Sequence, residues 1–274
     1  MKTPALLGVD VGFAKGKKTT GLAWFANSTI ETALTGSSWS ERSRSLPRGV
    51  RFAIAALDAP IVPADNYDAP RGCEHTFYGG AFWNRCRPGL SHHGRRGMAL
   101  RDAGRQAAQQ FAAVLEPVAA PIGPYVLPTT PIIEAFPNAS MGVLLPAASF
   151  AGWSTALGKA KSDWLYEQVV EAGLFRNLLS KLDLASLSVL RKFEQAQHHD
   201  ERAALICLLT AMFARSGDAV IVGDTGGGWF WLPPMTFWVP WARAALVKAL
   251  GPSPKNRFPL TGHWKRDVLM VKAP

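Results

Sequence analysis

The sequence predicts an α/β chain built on one mixed sheet, its first three strands antiparallel, with helices packed on its faces. Three observations lead there. Short apolar runs crowd the first sixty residues, and helix-period segments alternate with strand-like ones after them. Hydrophobic residues make up 48% of the 274 positions and charged ones 18%, enough apolar side chain for a sizeable core. Such a length suits one large domain, or one domain with an appendage.

Each element has a local reason. Residues 5–10 are apolar and end in the carboxylate of Asp10. A basic, glycine-bearing turn over 12–18, with Lys15 and Lys17, leads to a second strand at 19–26 and a third at 28–34. Residues 52–57 form a fourth strand and again run into an acid, Asp58, before Ala59-Pro60. Residues 61–97 are rich in Pro, Gly, Arg and aromatics without a period, and read as a long irregular basic insertion. Residues 98–116 are helical, with Leu100, Ala103, Ala107, Phe111 and Leu115 on one face. The fifth strand, 131–136, carries Glu134 and stops at Pro137. Two or three short helices fill 159–197, and 200–215 is a buried helix opened by Asp200. An extra hairpin follows, 219–222 with 229–232, turning through Asp224-Thr225-Gly226-Gly227-Gly228, and then a helix over 237–250. On this reading residues 1–234 hold a five-stranded sheet, and 235–274 are a helical extension packed on the same domain.

Composition narrows the function. No apolar run approaches the ~20 residues of a membrane span. Three cysteines are too few and too odd a set for a disulfide framework. Residues 1–7 are apolar, but Asp10 follows at once and no small-residue cleavage site appears, so the expectation is a cytoplasmic protein with no membrane partner. Thirty Lys+Arg against twenty Asp+Glu leave a net charge of +10, which favours a polyanionic partner such as DNA or RNA. The excess is clustered. No acid stands between His75 and Arg101, where Arg85, Arg87, Arg95 and Arg96 lie, and Arg42, Arg44, Arg48 and Arg51 form a second group. Solvated loops are the plain alternative.

Four acids share an unusual placement. Asp10, Asp58 and Glu134 sit in or at the end of apolar strands, and Asp200 opens an apolar helix. A carboxylate among buried residues is costly unless it is paired, hydrogen-bonded or bound to metal. If strands one and four are parallel neighbours, Asp10 and Asp58 lie at one end of the sheet. Ala203, Ala204 and Cys207 are small enough to let the helix approach and bring Asp200 to the same spot. Oxygen-only ligation selects a hard ion, Mg2+ or Mn2+, which supports phosphodiester hydrolysis. Each acid also has a plainer job: Asp10 or Asp58 in a turn, Asp200 as a helix N-cap, Glu134 paired with an arginine.

The chain resembles the predicted RNase H-like nucleases long catalogued as a domain of unknown function, relatives of the Holliday-junction resolvases. The resemblance rests on Gly8-Val9-Asp10-Val11-Gly12, Thr20-Gly21-Leu22-Ala23-Trp24, Ala56-Leu57-Asp58-Ala59-Pro60 and Ile133-Glu134-Ala135-Phe136-Pro137. It continues through the helix opened by Asp200, then Val220-Ile221-Val222-Gly223-Asp224 and Trp231-Leu232-Pro233. It implies an RNase H-like fold and a divalent-metal site made of Asp10, Asp58, Glu134 and Asp200. One position departs. Where such proteins often carry Asp-x-x-Asp-Ala-Leu, this helix reads Asp200-Glu201-Arg202-Ala203-Ala204-Leu205. Glu201 is no ready substitute, because one residue round a helix points about 100° away.

Three functions follow as alternatives: a metal-dependent nuclease, an RNase H-like binding or adaptor module that has lost turnover, and an actin-like nucleotide-dependent phosphotransferase. The nuclease reading assigns substrate contacts to Lys15, Lys17, Arg71, Glu74, Arg85, Arg87, Arg95 and Arg96. Phe77, Tyr78, Phe82 and Trp83 could stack on unpaired bases or form a small hydrophobic cluster. Cys73, His75, Cys86, His92 and His93 offer nitrogen and sulfur ligands, but at no common zinc spacing. The glycine-rich turn invites a phosphate-loop reading that a hairpin explains equally well.

Overall fold

The computed structural model describes residues 4–62, 70–86, 94–117, 130–153, 158–224, 227–250, 261–265 and 268–272. It is α/β, with one mixed seven-stranded sheet between helices. Three strands, β1 (Ala5–Asp10), β2 (Thr20–Ala26) and β3 (Thr29–Thr35), run antiparallel as hairpin neighbours. Next, β4 (Phe52–Asp58) pairs parallel with β1 on its other side, and β5 (Ile132–Ala135) pairs parallel with β4. A hairpin of β6 (Val220–Asp224) and β7 (Gly228–Leu232) completes the order β3-β2-β1-β4-β5-β7-β6. The sheet therefore has seven strands where the sequence suggests five. The hairpin expected as an appendage hydrogen-bonds to the far side of β5, with Glu134 opposite Phe230. An unpaired β5 would present bare backbone groups at an edge, and β7 supplies their partners.

The helices form two layers. One face of the sheet receives α4 (Gly94–Ala112), whose Ala107 and Phe111 pack on Leu7, Val9, Leu57 and Ile132. Beside it lies α1 (Trp39–Ser45), an element not expected from the sequence, begun by a Ser38–Glu41 capping box. The other face carries α9 (His199–Ser216), with α6 (Lys161–Glu171), α7 (Leu174–Lys181) and α8 (Leu187–Glu194) around it. The remaining helices are α2 (Gly72–Phe77), α3 (Gly80–Cys86), α5 (Pro137–Gly142) and α10 (Pro240–Leu250). Residues 61–97 are thus not irregular throughout: α2, α3 and the start of α4 fall inside them, and Phe77 and Phe82 are core side chains. The C-terminal extension is not purely helical either, because β8 (Thr261–Lys265) and β9 (Val268–Lys272) form a separate antiparallel pair.

Helix α9 approaches the sheet more closely than ordinary side chains allow. A Cβ on Gly8 would stand 2.2 Å from the Leu208 amide nitrogen and 2.3 Å from the Ala204 carbonyl oxygen; one on Gly21 would stand 1.9 Å from the Asp200 carbonyl oxygen. The small faces of both elements set this spacing, and it carries Asp200 to the sheet end. Gly8→Ala is expected to cost at least the ~1–3 kcal/mol of core overpacking. A lower denaturation midpoint at unchanged m-value is the readout. No helix among the described residues is long and apolar enough to cross a membrane.

Candidate functional site: a carboxylate cleft at the strand ends

Between β1 and β4 the chain reverses its direction of travel across the sheet, since β2 and β3 lie to one side and β5 to the other. Crevices at the carboxyl ends of strands flanking such a point are the usual ligand sites of open α/β sheets. Here a cleft of about 710 Å³ opens there, lined by Asp10, Asp58, Glu134 and Asp200, with Arg71, Glu74, Arg96 and His199 around them. Strand register accounts for the centre. Asp10 pairs directly with Asp58, so both side chains leave the sheet on the face that α9 covers. Glu134 is opposite Leu57, one position earlier, and its side chain leaves by the opposite face.

The four acids therefore fall into two environments. Asp10, Asp58 and Asp200 form one group. Burial, then the charges of Asp58 and Asp200, then a hydrogen bond with Asp200, hold the Asp10 carboxyl well above the usual carboxylate range. Burial, then Glu134, pushes Asp58 up to about 7. Cys207 lies beneath them, its thiol raised by burial and then by Asp58 and Asp10. Glu201 turns aside, accepting from Thr32 Oγ1 at 2.6 Å, and leaves Asp200 as the helix acid of the cleft.

Glu134 belongs to a different network. Arg71 donates to both its oxygens, Nη1 to Oε2 at 2.8 Å and Nη2 to Oε1 at 2.5 Å, and the Ile61 amide donates to Oε2 at 3.3 Å. Arg71 also donates through Nε and Nη2 to Glu74 Oε1, at 3.1 and 3.0 Å, and its guanidinium lies 5.7 Å from the Phe230 ring. All three side chains are buried. Burial works against the Arg71 charge but is outweighed by Cys73, Glu134 and Glu74, so its proton is held more tightly than usual. Arg71, Glu74 and Glu134 thus form one buried hydrogen-bonded network in the cleft wall, with Glu134 paired to an arginine as the plainer reading of the sequence allows.

The other expected contacts divide. Arg96 lines the cleft at the start of α4, and Arg95 beside it is exposed. Lys15 and Lys17 are exposed on the β1–β2 turn, whose Phe13, Ala14 and Thr19 line the cleft. Arg85 instead lies over the rings of Trp241, at 4.3 Å, and Phe150, at 5.3 Å. Arg87, His92 and His93 lie outside the described residues. Cys73 and Cys86 are buried, Cys73 Sγ donating to the Gly227 carbonyl at 3.3 Å, while His75 is exposed. Gly227 and Gly228 of the hairpin turn answer to local space and backbone geometry. A Cβ on Gly227 would meet the Gly72 nitrogen at 2.4 Å, and Gly228 has φ +88° with Val62 beside it.

Two cleft residues escaped the sequence reading. His199 Nδ1 lies 3.1 Å from Asp163 Oδ2 and 3.4 Å from Ser162 Oγ, and both His199 and Ser162 line the cleft. Adjacency of His199 to Asp200 was the available signal.

A hard divalent cation would relieve the crowding of Asp10, Asp58 and Asp200, and carboxylate oxygens are its natural donors. These three acids fit such an ion by chemistry, whereas both oxygens of Glu134 already accept from Arg71. As the side chains stand, no three His, Cys, Asp or Glu groups among the described residues are arranged to hold a metal ion. The pH dependence follows with a definite sign. Asp58 goes from an ordinary 3.8 to about 7 on folding, so the folded state favours its proton. The stability this contributes is full below the ordinary value and is lost as pH rises through about 7. Without added metal the protein is therefore expected to melt lower at about pH 8 than at about pH 5, with Asp58→Asn flattening the slope. Thermal melts across that range are the check.

No protein-family model, curated protein or solved structure matches the chain.

Proposed function

We propose that the chain is an RNase H-like, divalent-metal-dependent phosphodiesterase acting on nucleic acid. One observation carries the reading. Asp10 and Asp58 stand side by side, in register, at the carboxyl ends of adjacent parallel strands, on the floor of a cleft that Asp200 also lines. The order of the first five strands, three antiparallel and then two parallel, is what the family resemblance implies and supports the same reading.

An acidic floor repels phosphate, and a basic rim attracts it. Both are present, with Arg96 lining the cleft and Lys15 and Lys17 on the adjoining turn. Asp10 and Asp58 would hold Mg2+ or Mn2+, with Asp200 as the third carboxylate. Bound there, such an ion supplies charge neutralisation and Lewis-acid polarisation of the scissile phosphate. The residues do the rest. Asp10 and Asp58 would hold the ion at the floor, the basic rim would hold the reacting phosphate and its neighbours along the chain, and Glu134 stays hydrogen-bonded to Arg71. Incubating the purified protein with DNA and RNA panels in manganese is the direct test. Cleavage absent in an Asp10→Asn, Asp58→Asn double variant supports the proposal; no cleavage above that variant refutes it.

A second reading has its own observation. Ala203, buried on the cleft wall, stands where the resemblance calls for another carboxylate. An adaptor that binds nucleic acid without cutting it would show salt-sensitive binding and no scission.

A further inference from the structure

Arg42 belongs to the second basic group, which the sequence offers either to a polyanion or to solvent, yet it is 2% exposed. It lies behind the cleft wall, on the α1 side of the sheet. Nη2 donates to the Gly12 carbonyl at 2.8 Å and to Thr20 Oγ1 at 3.2 Å, and Nη1 donates to Gln110 Oε1 at 3.0 Å. Its guanidinium is 5.9 Å from the Phe111 ring. No carboxylate within salt-bridge distance of it occurs among the described residues, and its Nε has no hydrogen-bond partner there. Burial pulls its pKa down to about 10, which leaves it charged at neutral pH. The neighbouring Glu41 charge offsets only part of this. Burying a guanidinium whose hydrogen-bond acceptors are neutral is expensive, where an apolar side chain would fill the same space without that cost.

The three acceptors show what the charge accomplishes. They come from the turn after β1, from the start of β2 and from α4. Gly12 is two residues beyond Asp10, its amide donates to the Asp10 carbonyl at 3.2 Å, and it lines the cleft. The two arms of the turn also touch here, since a Cβ on Gly12 would meet the Thr19 carbonyl oxygen at 2.0 Å. The Gly12 carbonyl accepts from Arg42 Nη2 and, at 3.4 Å, from Thr20 Oγ1, so the guanidinium ties the turn after β1 to the start of β2.

We propose that Arg42 is a positioning residue of the cleft: by fixing the Gly12 carbonyl it holds the β1–β2 turn, and with it the Asp10 end of β1 and the Phe13–Ala14 wall, in the geometry that catalysis requires. Its effect on turnover rests on the nuclease reading; its effect on the turn does not.

The test uses the full chain with Arg42→Met, which keeps bulk without donors, and Arg42→Lys, which keeps charge without the fork. Expected for Arg42→Met is faster amide hydrogen exchange across residues 12–19 with β4 exchange unchanged. Manganese affinity and kcat for bis(p-nitrophenyl) phosphate should each fall about 10–100-fold, the range for residues that orient metal ligands, with KM little altered. Arg42→Lys should recover part of each loss. Exchange at 12–19 that matches the wild type, or that rises only in step with β1 and β4, overturns the proposal. If Arg42→Met does not fold, Arg42→Lys decides alone: faster exchange confined to 12–19 supports the role, and wild-type exchange overturns it. If the wild-type protein neither binds manganese nor cleaves the diester, the nuclease reading fails separately and the exchange data still decide for or against Arg42.

Discussion

Asp10→Asn is expected to lower phosphodiester turnover by about 10²–10³-fold, the scale for removing one group that stabilises transition-state charge, and to leave the fold no less stable. The two halves of this expectation come from one cause. Asp10 is raised by burial and by Asp58 and Asp200, so its ionised form is a source of strain in the metal-free protein. Asparagine keeps the shape and removes the charge. Melting at about pH 8 should therefore rise while activity collapses. Turnover in manganese and a thermal melt without metal, made on the same preparation, check both. A variant that lost stability together with activity would mean that Asp10 is a structural acid. The trade is the one expected at functional sites, where a local rule of folding is broken for chemistry.

The largest stability effect belongs to Arg71. Arg71→Met is expected to cost about 3–5 kcal/mol, the usual loss when one partner of a buried ion pair is removed. Glu134 and Glu74 would then face each other inside the protein without the guanidinium that joins them. Urea unfolding measures the loss. Adding Glu134→Gln to Arg71→Met should restore part of it, because the uncompensated charge goes with the carboxylate. The same pair of variants tests the division of the four acids. Glu134→Gln alone should leave manganese affinity far less changed than Asp58→Asn does.

Much of this arrangement is legible along the chain, for identifiable reasons. Apolar runs that stop at an acid mark both a strand and its end, which is why the sequence alone puts Asp10 and Asp58 together. Small residues on one helix face announce a close approach, and Ala204 does lie against the Gly8 and Gly21 positions. The partner of Glu134 is a different matter. Arg71 is 63 residues away in a segment without period, and nothing local distinguishes it from the exposed Arg95. A buried guanidinium and a solvated one look alike in sequence, and the same holds for Arg42 among Arg44, Arg48 and Arg51. The hairpin posed the opposite difficulty. Its strands and turn were plain, but whether they extend the sheet depends on what covers the far side of β5, which is a tertiary question. The helices of the insertion are only six and seven residues long, too short to show a period against a background of glycine and arginine.

The seven-stranded order puts β4 in the middle, with three strands on either side of it. Fraying of a sheet starts at its borders, here β3 and β6, and reaches the centre only with global unfolding. Asp58 and its neighbour Asp10 thus occupy the two rails that come apart last. Thermal breathing can loosen either margin of the molecule while the distance between these two acids stays fixed.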